Sequence, residues 1–153
     1  MRITAAQLRV QREYFGLDRT QLATIFGCTG RVVADWEDGR EPVPHRIIDE
    51  LKDIAQRTDD TLVTLVAQYA GPETTVHTYR NDDDYRKDQP SGPYTASWHR
   101  AVCARLLSIY PDVTIEFTPP TTPRRRRRTS TPTRGHTNDN GPATDSDCAH
   151  ASD

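Results

Sequence analysis

The sequence predicts a mainly α-helical chain with a small α/β segment and a disordered tail, on three observations. Three units of capping residue, short helix and glycine follow one another within the first forty residues. Apolar residues then recur at helical spacing from Ile47 to Tyr69. Beyond Thr118 no aliphatic residue larger than Ala occurs, and Pro, Thr, Ser, Asp, Asn and Gly take over.

Each element has a local reason. Thr4 and Gln7 have capping-box spacing, so a first helix runs over roughly 5–15 and stops at Gly16, with Leu8 and Phe15 on one face. Asp18 and Gln21 repeat the device and open a second helix to about Phe26, ended by Gly27. Thr29 caps a third, which ends near Asp38 before Gly39. The expected core of this unit is Leu8, Phe15, Leu17, Leu22, Ala23, Phe26, Cys28, Val33 and Trp36, with Cys28 a small buried hydrophobe in the turn. Pro44 can begin a fourth helix. That helix continues through polar Thr58-Asp59-Asp60-Thr61, as one long helix or two in line. Gly71-Pro72 ends it, and Thr75–Tyr79 reads as a short strand. Residues 81–93 are polar and turn-rich. A helix follows from Ser97, its cap, to Ile109, and a second strand from Val113 to Phe117. The organisation expected is 1–57 as one domain, 58–118 as a small α/β dimerisation segment too slight to stand alone, and 119–153 as a disordered Arg/Pro/Thr-rich tail.

Composition excludes several classes. No apolar run approaches the ~18 residues of a membrane span, and no basic-then-apolar leader opens the chain. A cytoplasmic protein with no membrane partner is therefore expected. Cys28, Cys103 and Cys148 are an odd number without a C-x-x-C pair, which argues against a disulfide framework or a zinc finger. The net charge of −2 gives little support to nucleic-acid binding, but its distribution is uneven. Residues 1–57 carry nine Lys/Arg against nine Asp/Glu, residues 58–118 five against nine, and the tail six against four.

The stretch from Leu17 to Gly39 has the pattern of a helix-turn-helix, and this makes double-stranded DNA the expected partner. Its second helix would enter the major groove. Outward positions counted from Thr29 give Arg31, Val32 and Asp35 as base contacts. Arg31 can take O6 and N7 of one guanine together, and Val32 can meet a thymine methyl. Asp35, four residues on, either steadies Arg31 or accepts from a cytosine amine. Arg19, Thr29, Arg40 and Arg46 are placed for phosphates. The tail residues Arg124, Arg125, Arg126, Arg127, Arg128 and Arg134 form a basic patch able to track DNA or RNA phosphates without sequence preference. Arg12 and Glu37 are read as a structural pair joining the first helix to the end of the third.

Arg12, Leu17, Leu22-Ala23, Gly27, Val33, Trp36-Glu37-x-Gly39 and the Pro that follows resemble the Cro/repressor-type (XRE) helix-turn-helix over about residues 4–57. More narrowly, residues 5–117 are similar to the phage anti-CRISPR-associated autorepressors and their bacterial YdiL-like relatives. The shared features are a long helix, a short strand, a helix with Ser97-Trp98-x-x-Ala101-Val102 and a last strand. Trp36-Glu37-Asp38-Gly39 with Val43-Pro44 soon after is also shared. The resemblance implies a lambda-repressor-like bundle and a homodimeric autorepressor reading inverted-repeat half-sites, with messenger RNA as a second partner in some members. The sequence departs from the family at Gly30, where a base reader is common, at acidic Asp35, and in the Arg-rich tail.

Rival readings have less behind them. An antitoxin or adaptor would grip a partner protein through the acidic middle and Tyr79, Tyr85, Tyr94 and Trp98. A metal-dependent nuclease would need Asp82, Asp83, Asp84, Asp88 and His77 around Mg²⁺, but three carboxylates in a polar turn are usually a solvated loop and no nucleophile or base completes them. His99/Cys103 and Cys148/His150 offer two ligands each, which do not make a metal site. The expectation is a non-enzyme with no cofactor, no metal and no evident small-molecule ligand.

Overall fold

Capping chemistry sets the first three helices. The structure, a computed structural model, describes residues 2–119. Thr4 Oγ1 accepts from the Gln7 N–H at 3.1 Å while Gln7 Oε1 accepts from the Thr4 N–H at 2.9 Å, and α1 runs Ala5–Tyr14. Asp18 and Gln21 make the same reciprocal pair at 2.7 and 2.9 Å, and α2 runs Arg19–Ile25. The third helix, α3 (Gly30–Glu37), differs from expectation at its start. The Thr29 side chain makes no cap hydrogen bond, and its backbone carbonyl receives the Val32 and Val33 N–H groups instead.

Gly16 does two things. It takes φ 67°, which lets the Gly16 and Leu17 N–H groups close the end of α1 onto the Glu13 and Arg12 carbonyls. A side chain there would also lie 2.7 Å from Ala101 Cβ and 2.8 Å from the Ser97 carbonyl oxygen. Gly27 has a similar φ of 64° but open space around it. Gly16→Ala is therefore expected to destabilise the protein by at least about 1 kcal/mol more than Gly27→Ala, read from paired urea melts. Equal losses would mean that the approach at position 16 relaxes freely.

The fourth helix, α4 (Arg46–Gln68), is a single 23-residue helix. It opens two residues after Pro44 because the Pro44 and His45 carbonyls accept from Ile47 and Ile48, three residues on, closing a tighter first turn. The polar run does not break it. The Thr58, Thr61 and Thr64 hydroxyls donate to carbonyls four residues back, at 2.7, 2.8 and 2.9 Å. Thr58 also accepts from the indole N–H of Trp98 at 3.0 Å, so both polar groups are satisfied in the core. The expected 57/58 boundary falls inside α4, and one continuous core extends from Leu8 to Val113.

The remainder is a short strand β1 (Thr75–Thr78), a helix α5 (Asp82–Asp88), a helix α6 (Ala96–Ile109) and a strand β2 (Thr114–Phe117). The strands pair in parallel, Thr75 opposite Thr114 and Thr78 opposite Phe117. Helix α6 packs on α4, α5 and β1. Two details correct the sequence reading. Residues 82–88 are helical, not a polar loop: Asn81 Oδ1 accepts from the Asp84 N–H at 2.9 Å, acidic residues fill the first turn, and Arg86 and Lys87 the last. The cap of α6 is Thr95 rather than Ser97. Asp82 supports that start by accepting from the Ala96 N–H at 2.9 Å. No helix among the described residues is long and apolar enough to cross a membrane.

Candidate nucleic-acid interface

Helices α2 and α3 are joined by Phe26–Thr29, and the joint is made by residues that cannot easily be otherwise. The Cys28 N–H returns to the Ala23 carbonyl at 2.9 Å across Gly27. Leu22, Ala23, Val33 and Trp36 are buried between the helices, and the Phe26 and Trp36 rings lie 6.5 Å apart. Cys28 is half-buried rather than buried, packed on this core, and burial pushes its thiol pKa up. A thiol held protonated is a poor nucleophile.

The end of α3 is fastened by charge. Glu37, with no side-chain exposure, accepts from Arg12 Nε at 2.6 Å, Arg12 Nη2 at 3.2 Å and Arg19 Nε at 2.8 Å. Arg12 also donates to the Leu17 carbonyl at 2.9 Å. Burial alone pushes the Glu37 carboxyl up, but the hydrogen bonds and charges of the two arginines outweigh it and hold the group below its ordinary value. The pair thus ties α1 to α3, and Arg19 adds α2.

The residues singled out as DNA contacts fall into different situations. Arg31 is exposed in the first turn of α3, and its guanidinium makes no hydrogen bond or ion pair among the described residues. Val32 is partly buried against the core, so only part of it faces out. Asp35 pairs with Arg40 at 2.8 Å and not with Arg31. The reason is the turn at Gly39, which brings the Arg40 N–H back to the Asp35 carbonyl at 2.9 Å. Arg40 also meets Asp38 at 3.1 Å. Arg19 holds Glu37 and Asp38, and Arg46 holds Glu50 at 2.6 Å. Thr29 is exposed with a free side chain at the start of α3.

Sequence reasoning passed over Thr20. It is exposed on α2, and its Oγ1 lies 3.3 Å from where a Cβ of Gly30 would stand. The first turns of α2 and α3 are therefore neighbours, and the small residue at position 30 permits this. The only signal in the sequence was the glycine itself.

The other candidates are placed as follows. His99 and Cys103 are adjacent, Nδ1 to Sγ 3.6 Å. Asp84 accepts from Lys87, Asp82 accepts from the Ala96 N–H at the start of α6, and His77 is exposed on β1. Among the described residues no group of three or more His, Cys, Asp or Glu is arranged to hold a metal ion. The tail arginines Arg124–Arg128 and Arg134, with Cys148 and His150, lie outside the described residues. Compared with known proteins, the chain matches no family model and no curated sequence.

Proposed function

We propose that this chain is a sequence-specific DNA-binding transcriptional regulator, a dimeric repressor whose α2 and α3 act as a helix-turn-helix. The observation that carries the reading is Arg31: a solvent-facing guanidinium without a protein partner, in the first turn of the second of two short helices locked at a fixed angle. In this reading α3 lies in the major groove with its N-terminal turn at the base edges, and Arg31 takes a guanine. Thr20, Thr29 and the N–H groups that open α2 and α3 lie beside it for the phosphates. Arg19, Arg40 and Arg46 serve the backbone by exchanging a carboxylate for a phosphate, so their contribution is small and salt-dependent. Asp35, held by Arg40, is screened from the DNA rather than aimed at a base. One such face is sparse, and a two-fold pair of faces on an inverted repeat supplies the specificity that one lacks.

Selection of bound duplexes from a random pool, with the protein's own upstream region included, tests this directly. A recurring inverted repeat is expected. Arg31→Ala should then weaken binding to that repeat by about 1–3 kcal/mol while leaving the melting curve within about 0.5 kcal/mol of the parent. No enriched sequence, or an enriched sequence indifferent to Arg31→Ala, would defeat the proposal.

A further inference from the structure

A cavity of about 410 Å³ opens between the second half of α4, β1, α5 and the start of α6, well away from α3 in the sequence. Small molecules are bound in cavities of roughly 300–1,000 Å³. Four aromatic rings line this one: Tyr79, Tyr85, Trp98 and His99. Tyr79 stands edge-on to Tyr85, centroids 5.2 Å apart, and to His99 at 5.0 Å. The polar atoms of two rings are already committed. Trp98 Nε1 donates to Thr58, and His99 Nδ1 meets the Thr78 hydroxyl at 2.9 Å.

Tyr85 and Arg57 are different. Tyr85 is only 6% exposed, yet its hydroxyl has no hydrogen-bond partner among the described residues and is not sealed from solvent. With no protein partner, that hydroxyl is left to solvent or to a ligand. Arg57, an exposed residue of α4, lines the same cavity, and its guanidinium makes no ion pair or hydrogen bond among the described residues. It is close enough to Tyr85 to oppose the rise that burial gives the phenol pKa. Asp60, the one carboxylate in the lining, accepts from Gln56 at 2.8 Å.

The geometry points to a binding site for a small planar aromatic acid, its ring among the aromatic walls and its carboxylate on the Arg57 guanidinium and the Tyr85 hydroxyl. An acid gains a charge-assisted hydrogen bond from the exposed Arg57 guanidinium that a neutral ring does not, and a non-aromatic acid would waste the edges and faces that Tyr79, Tyr85 and His99 present. The site stands whether or not the first half of the chain binds DNA.

The test uses the full chain with benzoate, benzamide and cyclohexanecarboxylate as probes, followed by calorimetry and by the ring resonances of His99 and Tyr85. Saturable benzoate binding that moves those resonances is expected, with the other two probes at least about tenfold weaker. Arg57→Gln should weaken benzoate about ten- to a hundredfold, and Tyr85→Phe, which keeps the ring and the packing, a few-fold. Tyr85→Phe decides the matter if Arg57→Gln disturbs folding. The assignment is overturned by benzamide binding as well as benzoate, by shifts confined to other residues, by indifference to both substitutions, or by no saturation up to about 10 mM.

Discussion

Glu37→Leu is expected to lower the unfolding free energy by about 3–5 kcal/mol, read from urea denaturation at neutral pH. The carboxylate is fully enclosed and receives three hydrogen bonds from two arginines. Removing it leaves the guanidinium of Arg12, whose side chain is 10% exposed, with the Leu17 carbonyl and a longer contact to Glu13 at 3.5 Å. A buried charge without its partner costs far more than the pair contributed. The double variant Arg12→Met with Glu37→Leu is therefore expected to lose much less than the sum of the two single changes. Acid adds a second reading. Because the folded carboxyl sits below its ordinary value, its stabilisation is full above the ordinary glutamate range and is lost as pH falls through the lower folded value. Glu37→Leu should remove that part of the acid limb. A single-variant loss under about 1 kcal/mol would show that the ends of α1 and α3 are held by apolar packing alone.

The first three helices were legible because what fixes them is local. Thr4 with Gln7, Asp18 with Gln21, and the glycines at 16, 27 and 39 decide boundaries within a turn or two, whatever the rest of the chain does. The Arg12–Glu37 pair was legible for another reason: two opposite charges on otherwise apolar faces have to meet. Other facts were hidden, by ambiguity or by distance along the chain. The signal for α5 was present in Asn81 and the acidic turn after it, but the same residues also describe a solvated loop. Arg31 and Asp35 have the spacing of a helical ion pair, and only the return of the chain at Gly39 gives Asp35 to Arg40 instead. Thr58 reads as a polar interruption until Trp98 is seen to need an acceptor there. The aromatic cavity draws Arg57, Tyr85 and Trp98 from three helices and Tyr79 from just past the end of β1, and has no spacing to read.

Between pH 7 and pH 5 the protein is expected to lose about 2 kcal/mol of stability through His99 alone. Burial first, and then the charge of Arg100, lower this imidazole from 6.5 to about 4. Among the described residues no carboxylate pairs with it. The ring faces Tyr79, Tyr85 and Trp98 and meets the Thr78 hydroxyl and the Cys103 sulfur. Burial raises the Cys103 thiol and takes Tyr79 up to about 12, so both stay neutral throughout this range. The sign follows from proton binding. Below pH 6.5 the unfolded chain takes up a proton that the folded chain refuses until about pH 4, so acid favours unfolding across that window and the full loss approaches about 3 kcal/mol. The carboxylates held by neighbouring cations titrate below their ordinary range, which leaves the upper part of the window to the imidazole. His99→Gln should flatten the change in urea midpoint between pH 7 and pH 5, and the His99 ring resonances of the parent should titrate near pH 4. A ring that titrates near 6.5, or a variant with the parent's slope, would mean that the imidazole is not held neutral there.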